Sequence, residues 1–272
     1  MSDPDTPFRS LPSAATAPVL SGIRQASSAT KIDFGLLMAE AEQESGFRAD
    51  AKASGSTATG LFQFISSTWL GLVQRFGDKY GLGALARQIS TDSSGKPVVA
   101  DAMARQRILE LRKDPKLSAA LAAEQTRLNQ RTLESALGRP ASNAELYLAH
   151  FLGASGAVTF LKSAALGDST AAADRMPEAA TANRAVFFDA SGRARSLGEI
   201  YQLFSDRIDA EAQRFSKLRG ADAGTSDAPS YIRSLGFSAT RVNPPIAAML
   251  TLFGLTAQHP PAARAAPQRR SI

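Results

Sequence analysis

Between Lys31 and Leu218 apolar residues recur at helical spacing, with short polar breaks between the runs and little strand-like alternation. The stretch DFGLLMAEAEQESGF sets Phe34, Leu37, Met38, Ala41 and Ser45 along one stripe. It predicts a helix capped by Asp33 and ended by Gly46. A loop, RADAKASGSTATG, follows, and LFQFISSTWLGLVQRFG predicts a second amphipathic helix starting near Ser66 or Ser67. VVADAMARQRILELRKD and KLSAALAAEQTRLNQRTLESALG predict two more, the latter ending at Gly138 before Pro140. SNAELYLAHFLG is apolar almost all round, the mark of a buried helix. GAVTFLKSAALG and SLGEIYQLFSDRIDAEAQRFSKL complete the set, so residues 31–218 predict one all-α domain. Residues 1–30, rich in Ser, Ala, Thr and Pro, predict a disordered leader. Residues 219–272 predict a linker, a short apolar segment (Ile246–Leu255) and a basic tail.

Composition narrows the chemistry. The chain has 272 residues, enough for one good-sized core, and 44% hydrophobic and 21% charged residues are ordinary for a globular protein. A formal net charge of +6 suits polyanionic surroundings. Lys and Arg are scattered among Asp and Glu, however, and form no nucleic-acid motif, so no nucleic-acid partner is expected. Zero cysteines exclude disulfides, thiol catalysis and thiolate metal sites. The only histidines are His150 and His259, too few for the usual zinc site, and no metal is expected. Neither a Gly-x-Ser-x-Gly turn nor a phosphate-binding P-loop occurs, and no cofactor is expected. No apolar run approaches the roughly 20 residues that a membrane-spanning helix needs. The opening residues lack the basic and apolar regions of a secretory signal.

Carboxylates remain as catalysts. Glu40, Glu42 and Glu44 share the first predicted helix, and Glu44 falls at the edge of its apolar stripe, opposite Glu42. Partial burial and a place in the last turn, where the helix dipole opposes negative charge, both favour a protonated Glu44. The plain alternative is a surface Glu44–Arg48 pair at i,i+4.

The surrounding residues bear on that choice. Glu44-Ser45-x-Phe47, then Ser54 at the serine of the family's Ala-x-Ser element, then Gly60-Leu61-x-Gln63 resemble, in order and spacing, the motifs of the soluble lytic transglycosylases. The resemblance covers roughly Ile32 to Phe215 and implies a goose-lysozyme-like helical fold. It also implies cleavage of the MurNAc–GlcNAc β-1,4 bond of peptidoglycan with formation of 1,6-anhydroMurNAc ends. Glu44 would be the sole acid and then base, Gln63 would contact the sugar, and Ser54 would hydrogen-bond near the carboxyl or the substrate. Ser45, Phe47 and Gly60 have equally good structural explanations as helix end, core side chain and tight turn.

The family's later Ala-Tyr-Asn-Ala-Gly element is absent. In its place stands AHFLG, with His150 at the tyrosine position, which looks more like a subgroup of phage endolysins and signal-less bacterial homologues. Tyr147 and His150, one turn apart, would then line the groove opposite Glu44, or else serve the core. Trp69 and Tyr80 could stack on sugars, although a single Trp on a helix is more often packing. The resemblance implies action at the periplasm or cell wall, reached by a route independent of the standard signal, with flagellar, secretion or virion components as candidate partners. Two alternatives stay open: a lysozyme-type muramidase that uses water, and a non-catalytic wall-binding component.

Overall fold

A computed structural model describes residues 15–165, 171–175, 177–182 and 184–221 of the chain. Its first helix, α1 (Ala17–Thr30), corrects the expectation of a disordered leader for those residues. Pro18 sits in the first turn, where a missing N–H costs nothing, and Val19, Ile23, Ala26 and Thr30 recur at helical spacing on a buried face. The small residues that resembled low complexity permit close packing instead. A Cβ at Gly22 would lie 2.9 Å from the Cα of Lys116, on the long helix that α1 packs along. Residues 1–14 lie outside the described residues.

Helix α2 (Phe34–Ser45) starts and stops where its caps predicted. Asp33 Oδ1 accepts from the Leu36 N–H at 2.9 Å, and Gly46 takes the left-handed conformation with φ 58°. The expected single apolar stripe is corrected: Phe34 to Ala41 are all buried, as are Glu44 and Ser45. α2 is the central helix of the domain, so even its glycine, alanine and glutamate positions face protein.

Helix α3 (Ser66–Phe76) is followed by a 3₁₀ turn and the short α4 (Gly83–Ala86). A small antiparallel hairpin, β1 (Ser90–Thr91) and β2 (Pro97–Val98), comes next. Its turn is organised by Asp92, whose Oδ1 accepts from Ser94 N at 2.8 Å and Lys96 N at 2.9 Å. Because Val98 belongs to β2, α5 (Ala102–Glu110) begins later than VVADAM suggested, capped by Asp101, which accepts from Ala104 N at 2.7 Å. α5 relaxes into a 3₁₀ turn, Leu111–Lys113, ahead of α6 (Pro115–Leu137). α6 ends at left-handed Gly138, as its sequence indicated.

The two helices expected from SNAELYLAHFLG and GAVTFLKSAALG are both present, joined across a kink at Gly153, where φ is 70° and ψ 156°; together they are labelled α7 (Asn143–Ala165). Ser142 and Glu145 build a reciprocal capping box at its start, with bonds of 3.2 and 2.9 Å. Three short helices follow: α8 (Ala172–Arg175), α9 (Pro177–Ala182) and α10 (Arg184–Phe187). A second capping box, Ser196 with Glu199, opens α11 (Leu197–Ala221). α11 passes the expected boundary at Leu218, so the first residues assigned to the linker are helical. Ile246–Leu255 and the basic tail lie outside the described residues.

The core surrounds α2, which packs most extensively on α11 and also touches α1, α6 and α7. Among the described residues, no helix is long and apolar enough to cross a membrane.

Candidate active site

The carboxyl end of α2 reverses the chain sharply. Gly46 N donates to Glu42 O at 2.9 Å, the single bond of an αL ending, and Phe47 N reaches back to Ala41 O at 3.3 Å. Phe47 is itself left-handed, with φ 65°, a strained conformation for an aromatic residue. Its buried ring packs edge-on against Phe215 of α11, centroids 5.9 Å apart, and this contact holds the strained backbone in place.

The loop over residues 47–65 is then bound down from several sides. Ser45 Oγ donates to Leu61 O at 2.8 Å. Gly60 has φ 89°, and a Cβ there would lie 2.1 Å from Arg112 O, so that position accepts only glycine without rearrangement. The buried Arg112 guanidinium donates through Nη1 to Thr57 O at 2.6 Å and Phe64 O at 3.0 Å, and through Nε to Leu109 O at 2.8 Å. A cation thus anchors the loop by charge-assisted bonds to backbone carbonyls.

Glu44 occupies the surface this loop leaves at the end of α2. It is only 6% exposed, and its Oε1 lies 2.8 Å from Nε2 of His150 on α7. The surface pair with Arg48 does not form; Arg48 Nε donates to Ser45 O instead. Burial raises the Glu44 pKa above the usual carboxylate range and outweighs the opposing hydrogen bond and charge of His150. Burial pulls the imidazole the other way, but the bond to Glu44 and the charges of Glu40 and Glu44 prevail and push His150 up to about 9. The His150 side chain is 15% exposed, so the pair sits at the rim of the core rather than inside it. Tyr147 stacks on the same imidazole at 6.4 Å and 21° and is otherwise buried.

Of the residues singled out from the sequence, the structure brings Glu44, His150 and Tyr147 together. Gln63 is buried, with an unusual φ of 45°, and its Nε2 donates to Gly60 O at 2.8 Å and Ala51 O at 3.2 Å. That amide therefore braces its own loop. Ser54 is exposed at the loop tip, and its hydroxyl forms no hydrogen bond to Glu44, whose carboxyl bonds to His150. Trp69 and Tyr80 are structural. Trp69 is fully buried and donates to Ile108 O at 2.7 Å, and Tyr80 OH donates to Glu124 at 2.9 Å.

Of the buried charges that sequence reasoning passed over, two bear on this site and its loop. Arg112 was hidden in a basic run that reads as a solvated helix end. Glu40 is fully buried one turn before Glu44, and neither of its oxygens has a hydrogen-bond partner. Desolvation raises its pKa to about 7, with Glu44 adding to that effect and His150 opposing it.

A buried carboxyl with a raised pKa and an imidazole on one oxygen is equipped to give a proton and take one back. No cluster of three or more His, Asp or Glu side chains able to hold a metal ion occurs among the described residues. An open depression of about 580 Å³ lies apart from this site, lined by Leu85, Met103, Gln106, Arg107, Glu110 and Leu111. Residues 21–93 match the family model described as the transglycosylase SLT domain. The match spans Glu44, Ser54 and Gln63; Tyr147 and His150 lie beyond it.

Proposed function

We propose that this chain is a peptidoglycan-cleaving transglycosylase of the lysozyme-like SLT kind, the family whose model residues 21–93 match, and that Glu44 is its single acid and base. The substrate is the glycan strand, cut at the MurNAc–GlcNAc β-1,4 bond with formation of a 1,6-anhydroMurNAc end. The observation that carries this assignment is the sheltered Glu44 carboxyl, raised in pKa by burial and oriented by the 2.8 Å contact with His150.

Glu44 first donates its proton to the glycosidic oxygen as the bond to C1 breaks. The 2-acetamido oxygen of the same sugar shields the positive centre at C1, as in the substrate-assisted exceptions to two-carboxylate glycoside cleavage. The C6 hydroxyl oxygen then closes on C1 and gives its proton to the Glu44 carboxylate. The bond broken and the bond formed are both C1–O, no water is consumed, and Glu44 ends protonated as it began. Glu40 does not supply a nucleophile in this scheme, because its fully buried carboxyl cannot reach a bound glycan. Tyr147 and His150 form one wall of the site. Gln63 serves it by fixing the loop, and Ser54, exposed on that loop, contacts the glycan.

Glu44→Gln is expected to lower turnover on purified peptidoglycan by about 10²- to 10⁴-fold with wall binding largely retained. Mass spectrometry of the muropeptides should show products one water lighter than those of hydrolysis. Near-normal cleavage by the Gln variant removes Glu44 from the mechanism, and products carrying the extra water make the enzyme a muramidase.

A further inference from the structure

Glu40 is the buried group this mechanism leaves unused. Its side chain is 0% exposed, both carboxylate oxygens lack hydrogen-bond partners, and it precedes Glu44 by one turn of α2. An apolar side chain of similar length would fill the space without the desolvation cost of a carboxyl. Two charges act on it, His150 and Glu44. The other elements packed on α2 bring charges engaged elsewhere. Glu145 of α7 is held by Arg139, and Glu124 of α6 by Lys79, Tyr80 and Arg127. On α11, Arg214 pairs with Glu42 and Glu211 accepts from Gln43. α1 carries Arg24 as its one charged side chain.

Two carboxyls and one imidazole therefore share this interior, and zero net charge requires two protons among the three sites. Glu44 and His150 alone would settle the matter between themselves. In either neutral form of that pair, the Glu44 proton is absent or engaged by the imidazole. Glu40 adds a different neutral arrangement: carboxylate at Glu40, imidazolium at His150 and carboxylic acid at Glu44. This differs from the arrangement with neutral Glu40 and ionised Glu44 only in where one proton sits, so reaching it creates no net charge inside the protein.

We propose that Glu40 is a positioning residue for the acid: its carboxylate balances the His150 imidazolium while Glu44 carries the proton destined for the glycosidic oxygen. The proposal rests on the assignment of Glu44 as that acid. During turnover Glu44 loses one proton to the leaving oxygen and regains one from the C6 hydroxyl, and Glu40 and His150 keep their charges throughout.

The first test needs no activity. The chain has two histidines, so His259→Ala leaves His150 as the single imidazole to follow by ¹⁵N NMR in the full chain. Glu40→Gln in that background should lower the His150 titration midpoint by about one pH unit. Glu44→Gln, which keeps Glu40, should leave the midpoint above the ordinary histidine value of about 6.5. A midpoint unmoved by Glu40→Gln overturns the proposal. If that variant does not fold, a midpoint at or below the ordinary value in Glu44→Gln overturns it equally.

On purified peptidoglycan, Glu40→Gln should reduce kcat about tenfold at neutral pH, the equivalent of one pKa unit, with KM unchanged. The deficit should shrink as the pH is lowered and Glu44 is reprotonated. A deficit of equal size at every pH marks a structural role and sinks the idea. Should the NMR midpoints move as expected while the unmodified chain cuts no glycan, the assignment of Glu44 fails and the charge cluster stands.

Discussion

At Glu44, burial favours the neutral acid while the imidazole 2.8 Å away favours the carboxylate, and burial prevails. Glu40 and His150 extend that contest into folding stability. Glu40 binds its proton more tightly folded, at about 7 against 4.5, so its contribution is lost as pH rises between those values. His150 also binds its proton more tightly folded, at about 9 against 6.5, and its contribution is likewise lost as pH rises through that interval. Both signs agree. Denaturant unfolding at a series of pH values should show stability declining from about pH 5 to about pH 9, with the lower part of the slope flattened in Glu40→Gln. A stability that climbs over this range contradicts the protonation scheme. Glu44, Tyr147 and His150 were legible as candidates through the family resemblance, which outweighed the plainer reading that helix geometry alone gave Glu44. Glu40 was not, because a glutamate on a helix reads as solvated until something covers it, and the covering helices lie far away in sequence.

The loop between α2 and α3 owes its shape to two left-handed non-glycine residues, Phe47 and Gln63, and to the buried guanidinium of Arg112. Such strained positions persist only where their surroundings over-determine them. Arg112→Met would retain the volume and remove the donors to Thr57 O, Phe64 O and Leu109 O. A loss of about 2–3 kcal/mol is expected by urea unfolding, because buried carbonyls would be left unpaired. Amide hydrogen exchange should quicken at Thr59 and Gly60, and unchanged protection there would show that the anchor is dispensable. Both ends of α2 and the close of α6 could be read from Asp33, Gly46 and Gly138, because capping is local chemistry. The loop's anchoring could not, since Arg112 reaches it from an element more than forty residues away.

Across the whole molecule, α1 is a full member of the core. Ile23 is completely buried, and α1 runs along α6 with only Gly22 between their backbones at closest approach. Ile23→Ala is expected to cost about 3 kcal/mol, within the range for deleting a packed aliphatic side chain. Cooperative chemical denaturation measures this, and a change below about 0.5 kcal/mol, the range of surface substitutions, would mean that α1 is peripheral. The all-α architecture was readable from periodicity alone. α1 was obscured because residues that let two helices approach closely are also those that make a segment look unstructured.

Helix α11 clamps α2 through Phe215 on Phe47, Arg214 on Glu42 and Glu211 on Gln43. Its partners stand some 170 positions earlier, a separation whose closure entropy must be met before the contact returns anything. A chain still being synthesised therefore lacks the brace behind the end of α2 that carries Glu44 until Phe215 has emerged.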